Sequence, residues 1–169
     1  GGEMPVVMGA GGSGILLHEA IGHAFEADFN RKDISIFSGQ LNKKVCSEHI
    51  NVVDDGTIPF NRGAVNFDDV GVRTDNGQRP EGVLTSYLHD RISAKHYGVE
   101  PTGNGRRESF RNMPIPRMRA TYMEAGNVSE SDIISSVKKG IVVDNFTNGQ
   151  VQIGAGDFTF FVKSGYMIE

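Results

Sequence analysis

Apolar residues along the chain fall in short runs, broken by glycine and polar turn residues, and the period of each run predicts an element. Residues 4–8 read as a buried strand, 9–14 as a tight glycine turn, and 15 to about 29 as a helix with Ile15, Leu16, Ile21 and Phe25 on its packing side. Residues 30–61 are polar and mixed. Short apolar stretches at 34–37 and 50–53, the second followed by Asp54, Asp55 and Gly56, predict loops and short strands. A strand over 82–87 and a brief helix over 90–97, stopped by Gly98, come next. Residues 100–119 have a loop composition, with Pro101, Gly103, Gly105, Pro114 and Pro116 among Arg106, Arg107, Arg111, Arg117 and Arg119. Ser129, with Asp132 three residues on, caps a helix expected over 130–139 and ended by Gly140. The remainder reads as antiparallel strands over 141–146, 150–153, 158–163 and 166–168, with a hairpin turn at Asn148–Gly149.

These elements predict an α+β fold in which the long helix from Ile15 packs on a mainly antiparallel sheet, open or barrel-like. A chain of 169 residues suits one domain with its own core. The last strand runs off the end without a turn, which suggests a cut inside a larger fold.

Composition narrows the functional classes. No apolar run approaches the roughly 18 residues of a membrane span, so a transmembrane helix is excluded. The net charge of −4 gives no overall attraction to phosphate backbones, and nucleic acid is not an expected partner. One cysteine, Cys46, cannot form an internal disulfide, and no export-signal pattern opens the chain, so a cytoplasmic setting is expected.

Two motifs carry candidate chemistry. Residues 9–14, Gly-Ala-Gly-Gly-Ser-Gly, fit the glycine fingerprint of a dinucleotide site, with Asp28 and Asp33 about where a ribose-binding acid falls. The alternating strands and helices that such a fold needs do not follow, so a plain tight turn is the better reading. Next come His18-Glu19-Ala20-Ile21-Gly22-His23, then Glu26 and Asp28, the densest set of ligand-type side chains in the chain. In a regular helix, residues five apart differ by about 140° around the axis, and both imidazoles cannot face one ion. One π-type turn would return His23 to the side of His18, with Gly22 where distortion is cheapest, leaving Glu19 free to take a proton from an attacking water. A straight helix would instead align Glu19, His23 and Glu26 in a stripe suited to iron or manganese. The two arrangements make opposite demands on Glu19, as base or as ligand. A third reading is a solvated helix face, against which stands the clustering of five such side chains within eleven residues beside apolar positions. Glu26 and Asp28 are candidates for orienting the histidines. Cys46 and His49 have a metal-like spacing, but a buried thiol is the simpler reading. The arginines of 100–119 are suited to holding a peptide carboxylate or lining a cleft, and equally to a charged surface loop.

Residues 9–28, GAGGSGILLHEAIGHAFEAD, resemble the signature of the TldD/PmbA family of metallopeptidases, also described as DNA gyrase modulators; residues 71–82, 102–109, 114–123 and 140–156 are similar to that family too. The resemblance implies a zinc-dependent peptidase with His18 and His23 as ligands and Glu19 as catalytic base, and it favours the distorted helix. It also implies a third ligand from a cysteine in a C-terminal segment not matched here, and an N-terminal domain outside this sequence. A fragment of this kind would be poorly active. Substrates would be unfolded or extended peptides, which a strand edge could bind, and the partner a non-catalytic paralogue in a heterodimer. The readings kept beside it are a non-catalytic peptide-binding or assembly module with a vestigial cluster, and a dinucleotide-binding oxidoreductase.

Overall fold

The computed structural model describes residues 2–77 and 82–169; part of the family-like stretch 71–82 lies outside them. The largest sheet has the order β1-β7-β8. Strand β1 (Val6–Met8) runs parallel to β7 (Gly140–Gln152), which pairs antiparallel with β8 (Asp157–Ile168). A second, antiparallel sheet is built from β2 (Val52–Asp55), β3 (Asn76–Gly77) and β6 (Thr121–Met123) in the order β3-β2-β6. Two residues each from β4 (Gly105–Arg106) and β5 (Ile115–Pro116) make a third. The fold is α+β with mainly antiparallel pairing, and no barrel closes among the described residues.

Several elements differ from expectation. The first strand is an edge and not a buried one: Val6 is 49% exposed and Met8 43%. The glycine segment is not a turn. Gly9 N–H still bonds the Val143 carbonyl at 2.8 Å, and helix α1 (Ala10–Leu17) starts at once. The single long helix is replaced by α1, a π-helical turn at His18–Gly22, a 3-10 turn at His23–Phe25, and α2 (Ala27–Asn30) after an extended Glu26. Asn148–Gly149 is not a hairpin turn either. Strand β7 continues through it, and the chain reverses between Gln152 and Asp157, where Gly156 takes a φ of +76°. Residues 82–87 form no continuous strand. Other local signals hold: Asp90 accepts from Ser93 N–H to cap α3 (Arg91–Tyr97), which Gly98 ends in the left-handed region. Ser129 caps α4 (Glu130–Ser135), shorter than expected.

Glycine allows α1 to lie against the backbone of β7. A Cβ on Gly12 would come within 2.9 Å of the Asp144 carbonyl oxygen and 3.1 Å of the Phe146 ring, and one on Gly11 within 3.3 Å of the same carbonyl. Leu16, one turn beyond Gly12, is buried with Leu17. The glycines therefore serve helix-to-strand packing. The core lies beyond the helix end, where Phe25, Ala27, Leu84, Tyr87, Leu88 and Met118 pack together. Ala27 N–H to the Leu88 carbonyl and Leu88 N–H to the Phe25 carbonyl, both 3.0 Å, fasten the end of the helical segment to this core.

The two kinds of glycine in α1 should respond oppositely to alanine. Gly14→Ala, with nothing within 4 Å of the added carbon, should stabilise the protein by about 0.5–1 kcal/mol through helix propensity and a less flexible unfolded chain. Gly12→Ala presses on backbone that cannot yield, and should destabilise by about 1–3 kcal/mol. Urea denaturation of both variants measures the difference.

Candidate metal centre

The centre begins with one backbone hydrogen bond. His23 N–H donates to the His18 carbonyl, five residues back, and the turn between them is π-helical. The wider turn absorbs the residue by which the motif exceeds regular spacing. The two imidazoles meet edge to face, with ring centroids 4.8 Å apart and planes at 87°. One donor atom each from His18, Glu19 and His23 lie within 4.8 Å of one another, the one such potential metal-holding group among the described residues.

Gly22 takes an ordinary helical conformation, φ −57° and ψ −51°, so its conformational freedom is unused. What matters is its missing side chain. A Cβ there would overlap the Sδ of buried Met118, which fills the notch behind the π turn. The helical segment ends because Glu26 is extended, with φ −66° and ψ 127°. Its loose carbonyls are taken up locally: Asn30 Nδ2 donates to Ala24 O at 2.8 Å and Glu26 O at 2.9 Å, and Ser35 Oγ to Ala24 O at 2.7 Å.

That extended residue sends the Glu26 carboxylate behind His23. Oε2 lies 3.1 Å from His23 Nδ1 and accepts from Arg117 Nη1 at 2.9 Å, with Glu26 fully buried. A carboxylate at Nδ1 fixes the proton on that nitrogen and leaves Nε2 as the donor for a metal. His23 Nε2 is 3.9 Å from Glu19 Oε2. The straight stripe of Glu19, His23 and Glu26 is not formed, because Glu26 stands behind the imidazole and outside the group of three. Asp28, also buried, approaches Arg117 at 3.9 Å.

The imidazoles differ electrostatically. Burial, and then the neighbouring His23, hold His18 below its ordinary pKa, which favours the neutral, ligand-competent form. The hydrogen bond that His23 donates to Glu26 raises its pKa in spite of burial. Burial also raises Asp28, against the opposing charges of Arg117 and Lys32.

Arg117 is the participant that sequence reasoning places differently: the sequence suits it to a peptide carboxylate, a cleft wall or a charged surface loop, and it holds the protein's own Glu26 carboxylate. Nothing local marks it, since Glu26 is 91 positions away. Arg119 is likewise occupied, donating from Nε to Gly103 O at 3.1 Å and from Nη2 to Gly105 O at 2.9 Å. Cys46 lies apart, lining an apolar hollow with Ile21, Phe25, Phe37 and Val52, and burial pushes its thiol up.

Comparison with known proteins places the chain in a family. Residues 1–169 match the family described as the PmbA/TldA metallopeptidase C-terminal domain. The chain is 48% identical over 169 residues to the metalloprotease TldD homolog of Haemophilus influenzae, covering 99% of this chain and 35% of that protein. It is 34% identical over 174 residues to the zinc metalloprotease TldD homolog of Saccharolobus solfataricus, covering 99% and 38%. Its structure superposes on the crystal structure of TldE from Thermococcus kodakarensis with a TM-score of 0.85 at 27% identity, covering 99% of this chain and 38% of that one. The chain belongs to the PmbA/TldD metallopeptidase family and spans about a third of the length of these relatives.

Removing Arg117 would leave the buried Glu26 carboxylate with His23 as its remaining side-chain partner. Arg117→Ala should therefore destabilise the protein by about 3 kcal/mol, at the lower end for a broken buried pair because His23 still bonds the carboxylate. Chemical denaturation checks this, with Arg111→Ala on the exposed loop as the control expected to shift stability by under about 0.5 kcal/mol.

Proposed function

We propose that the chain is the catalytic portion of a zinc-dependent peptidase acting on unfolded or extended peptides, with His18 and His23 as metal ligands and Glu19 as general base. The observation that carries this reading is the π turn, which gathers two imidazoles and one carboxylate within 4.8 Å. The donor set suits zinc: nitrogen donors, one of them backed by a buried carboxylate, with a further acidic group alongside. A relative at 34% identity is named a zinc metalloprotease. Bound there, zinc supplies Lewis acidity toward a peptide carbonyl and makes water acidic near neutral pH.

The chain's own residues supply the rest. Glu19, 43% exposed at its side chain, accepts the proton that the attacking water gives up as its oxygen bonds the carbonyl carbon. As the carbon–nitrogen bond breaks, the same carboxylate returns that proton to the leaving amine. Glu26 and Arg117 hold the His23 ring against rotation, and Asp28 supports Arg117. Coverage of about a third of the relatives fits a single domain, the central to C-terminal part of a longer protein, with a third ligand, a cysteine, and an N-terminal domain supplied from outside this sequence. Likeness to both TldD homologs and TldE supports assembly with a non-catalytic paralogue. Among the described residues no helix is long and apolar enough to cross a membrane, and a cytoplasmic site of action fits the single cysteine.

The decisive experiment is metal content beside peptide cleavage in the full-length protein. Glu19→Gln should keep stoichiometric zinc and lose about 10²- to 10⁴-fold in kcat, whereas His18→Ala and His23→Ala should lose the metal itself. Zinc lost from Glu19→Gln would make Glu19 a ligand and refute its role as base. A zinc-free wild type that still binds peptide would point instead to a binding module with a vestigial cluster.

A further inference from the structure

Strand β7 is regular where β1 covers it and irregular where it passes the π turn. Between Val143 and Gly149 the β7–β8 register shifts three times. Phe146 faces Val162 while Gly149 faces Phe160, so β7 carries one residue more than β8 over this stretch. An extra residue bends a strand and redirects its side chains. Against this stretch lies a hollow of about 310 Å³, lined by residues 146–149 and Phe160 of the hairpin and by Ile15 and Glu19 of the helical segment.

The walls of the hollow are specific in character. The Phe146 and Phe160 rings stand 5.4 Å apart, tilted by 58°. Gly149 makes room for this pair, since a Cβ there would come within 2.5 Å of the Phe160 ring and 2.6 Å of the Thr159 carbonyl oxygen. Ile15, 51% exposed, adds an aliphatic face from α1. The one charged group in the lining is Glu19, the base of the proposed reaction. The volume lies at the lower end of the roughly 300–1,000 Å³ of small-molecule pockets, room for one side chain more than for a whole ligand.

We infer that this hollow is the subsite for an aromatic or large aliphatic side chain on the peptide residue next to the bond that is cut, an inference that rests on the peptidase reading above. A side chain seated between Phe146, Phe160 and Ile15 holds its own backbone beside Glu19, where the proton is transferred. Aromatic edges and an aliphatic face reward apolar contact. The same carboxylate repels an acidic side chain in the hollow. Strand irregularity, ring placement and the glycine at 149 thus combine to make a specificity element from the β7–β8 hairpin.

The test uses the full-length, zinc-loaded protein and peptides identical except for Phe, Leu, Ala or Asp at one position, with cleavage sites mapped by mass spectrometry. Cleavage beside Phe or Leu should exceed cleavage beside Ala by about 10- to 100-fold in kcat/KM, and Asp should rank last. Ile15→Phe, on an exposed helix position, fills the hollow and should bring Phe down to the level of Ala; Phe160→Ala, removing a wall, should shrink the preference independently. As a readout apart from turnover, full-length Glu19→Gln should bind labelled Phe peptides more tightly than Ala peptides by fluorescence anisotropy, and Ile15→Phe in that background should abolish the difference. Cleavage and binding indifferent to the varied residue would overturn the subsite and leave the peptidase reading intact. Discrimination in binding with no cleavage by the wild type would leave an apolar side-chain site but overturn its place beside a cut bond together with the peptidase reading, and the absence of both binding and cleavage would overturn everything proposed.

Discussion

The spacing of two histidines sets the terms for everything around them. Five residues apart, they share a side of the helix only if one backbone bond reaches from residue 23 to residue 18, and that bond is present. A π turn packs less well than a regular one and persists where neighbours hold it. Three features do so here. Glycine lets α1 sit down on the β7 backbone before the turn, Met118 fills the space behind Gly22, and the ladder of Phe25 and Ala27 with Leu88 fixes the chain after it. Each is a packing constraint on backbone position, so the geometry of the cluster is set by the fold and not by the three side chains themselves.

Carboxylates organise the second half of the centre. Asp54 accepts from Asn104 Nδ2 at 2.7 Å, Arg119 N–H at 2.8 Å and Thr121 Oγ1 at 2.7 Å, while Asp68 accepts from Val70, Val72 and Gly105 N–H groups at 2.8–3.0 Å. These bonds give a proline- and glycine-rich loop the fixed backbone it could not obtain from burial alone. Arg117 rides on that loop, and through it the loop's position is transmitted to Glu26 and then to the His23 ring. The arginine-rich segment works as a frame.

How much of this could be read in the sequence depends on the range of the interaction concerned. The π turn could be posed from the sequence, because helical geometry and a five-residue interval conflict within six residues, but the straight stripe stayed open on the residues alone and the family resemblance favoured the distorted helix. The caps at Ser129 and the stop at Gly98 were legible for the same local reason. Misreadings arose where distant packing overrides local preference. Gly9, Gly11 and Gly12 have the look of a turn, yet the approach of β7, some 130 positions later, makes the missing side chains of Gly11 and Gly12 an asset inside a helix. Asn148–Gly149 has the composition of a hairpin turn, yet Gly149 is needed opposite the Phe160 ring, and the reversal moves to Gly156. The Glu26–Arg117 pair joins residues whose local patterns are silent about each other.

The two imidazoles are placed unequally, and the inequality has chemical sense. His23 is backed by a fully buried carboxylate and a guanidinium, so the rear of the cluster is closed and its ring orientation is fixed. Among the described residues no carboxylate and guanidinium back His18 in this way; it is exposed, and Glu19 is 43% exposed beside it. A rigid rear and an accessible front suit the proposed hydrolytic role, in which ligand geometry must not relax and a peptide would have to reach Glu19 from solvent. The bulged part of β7 borders that front, on the Glu19 side. Phe146, Phe160 and Ile15 line the hollow that Glu19 also borders, so in the proposed reading selection of the side chain and presentation of the carbonyl would share one place.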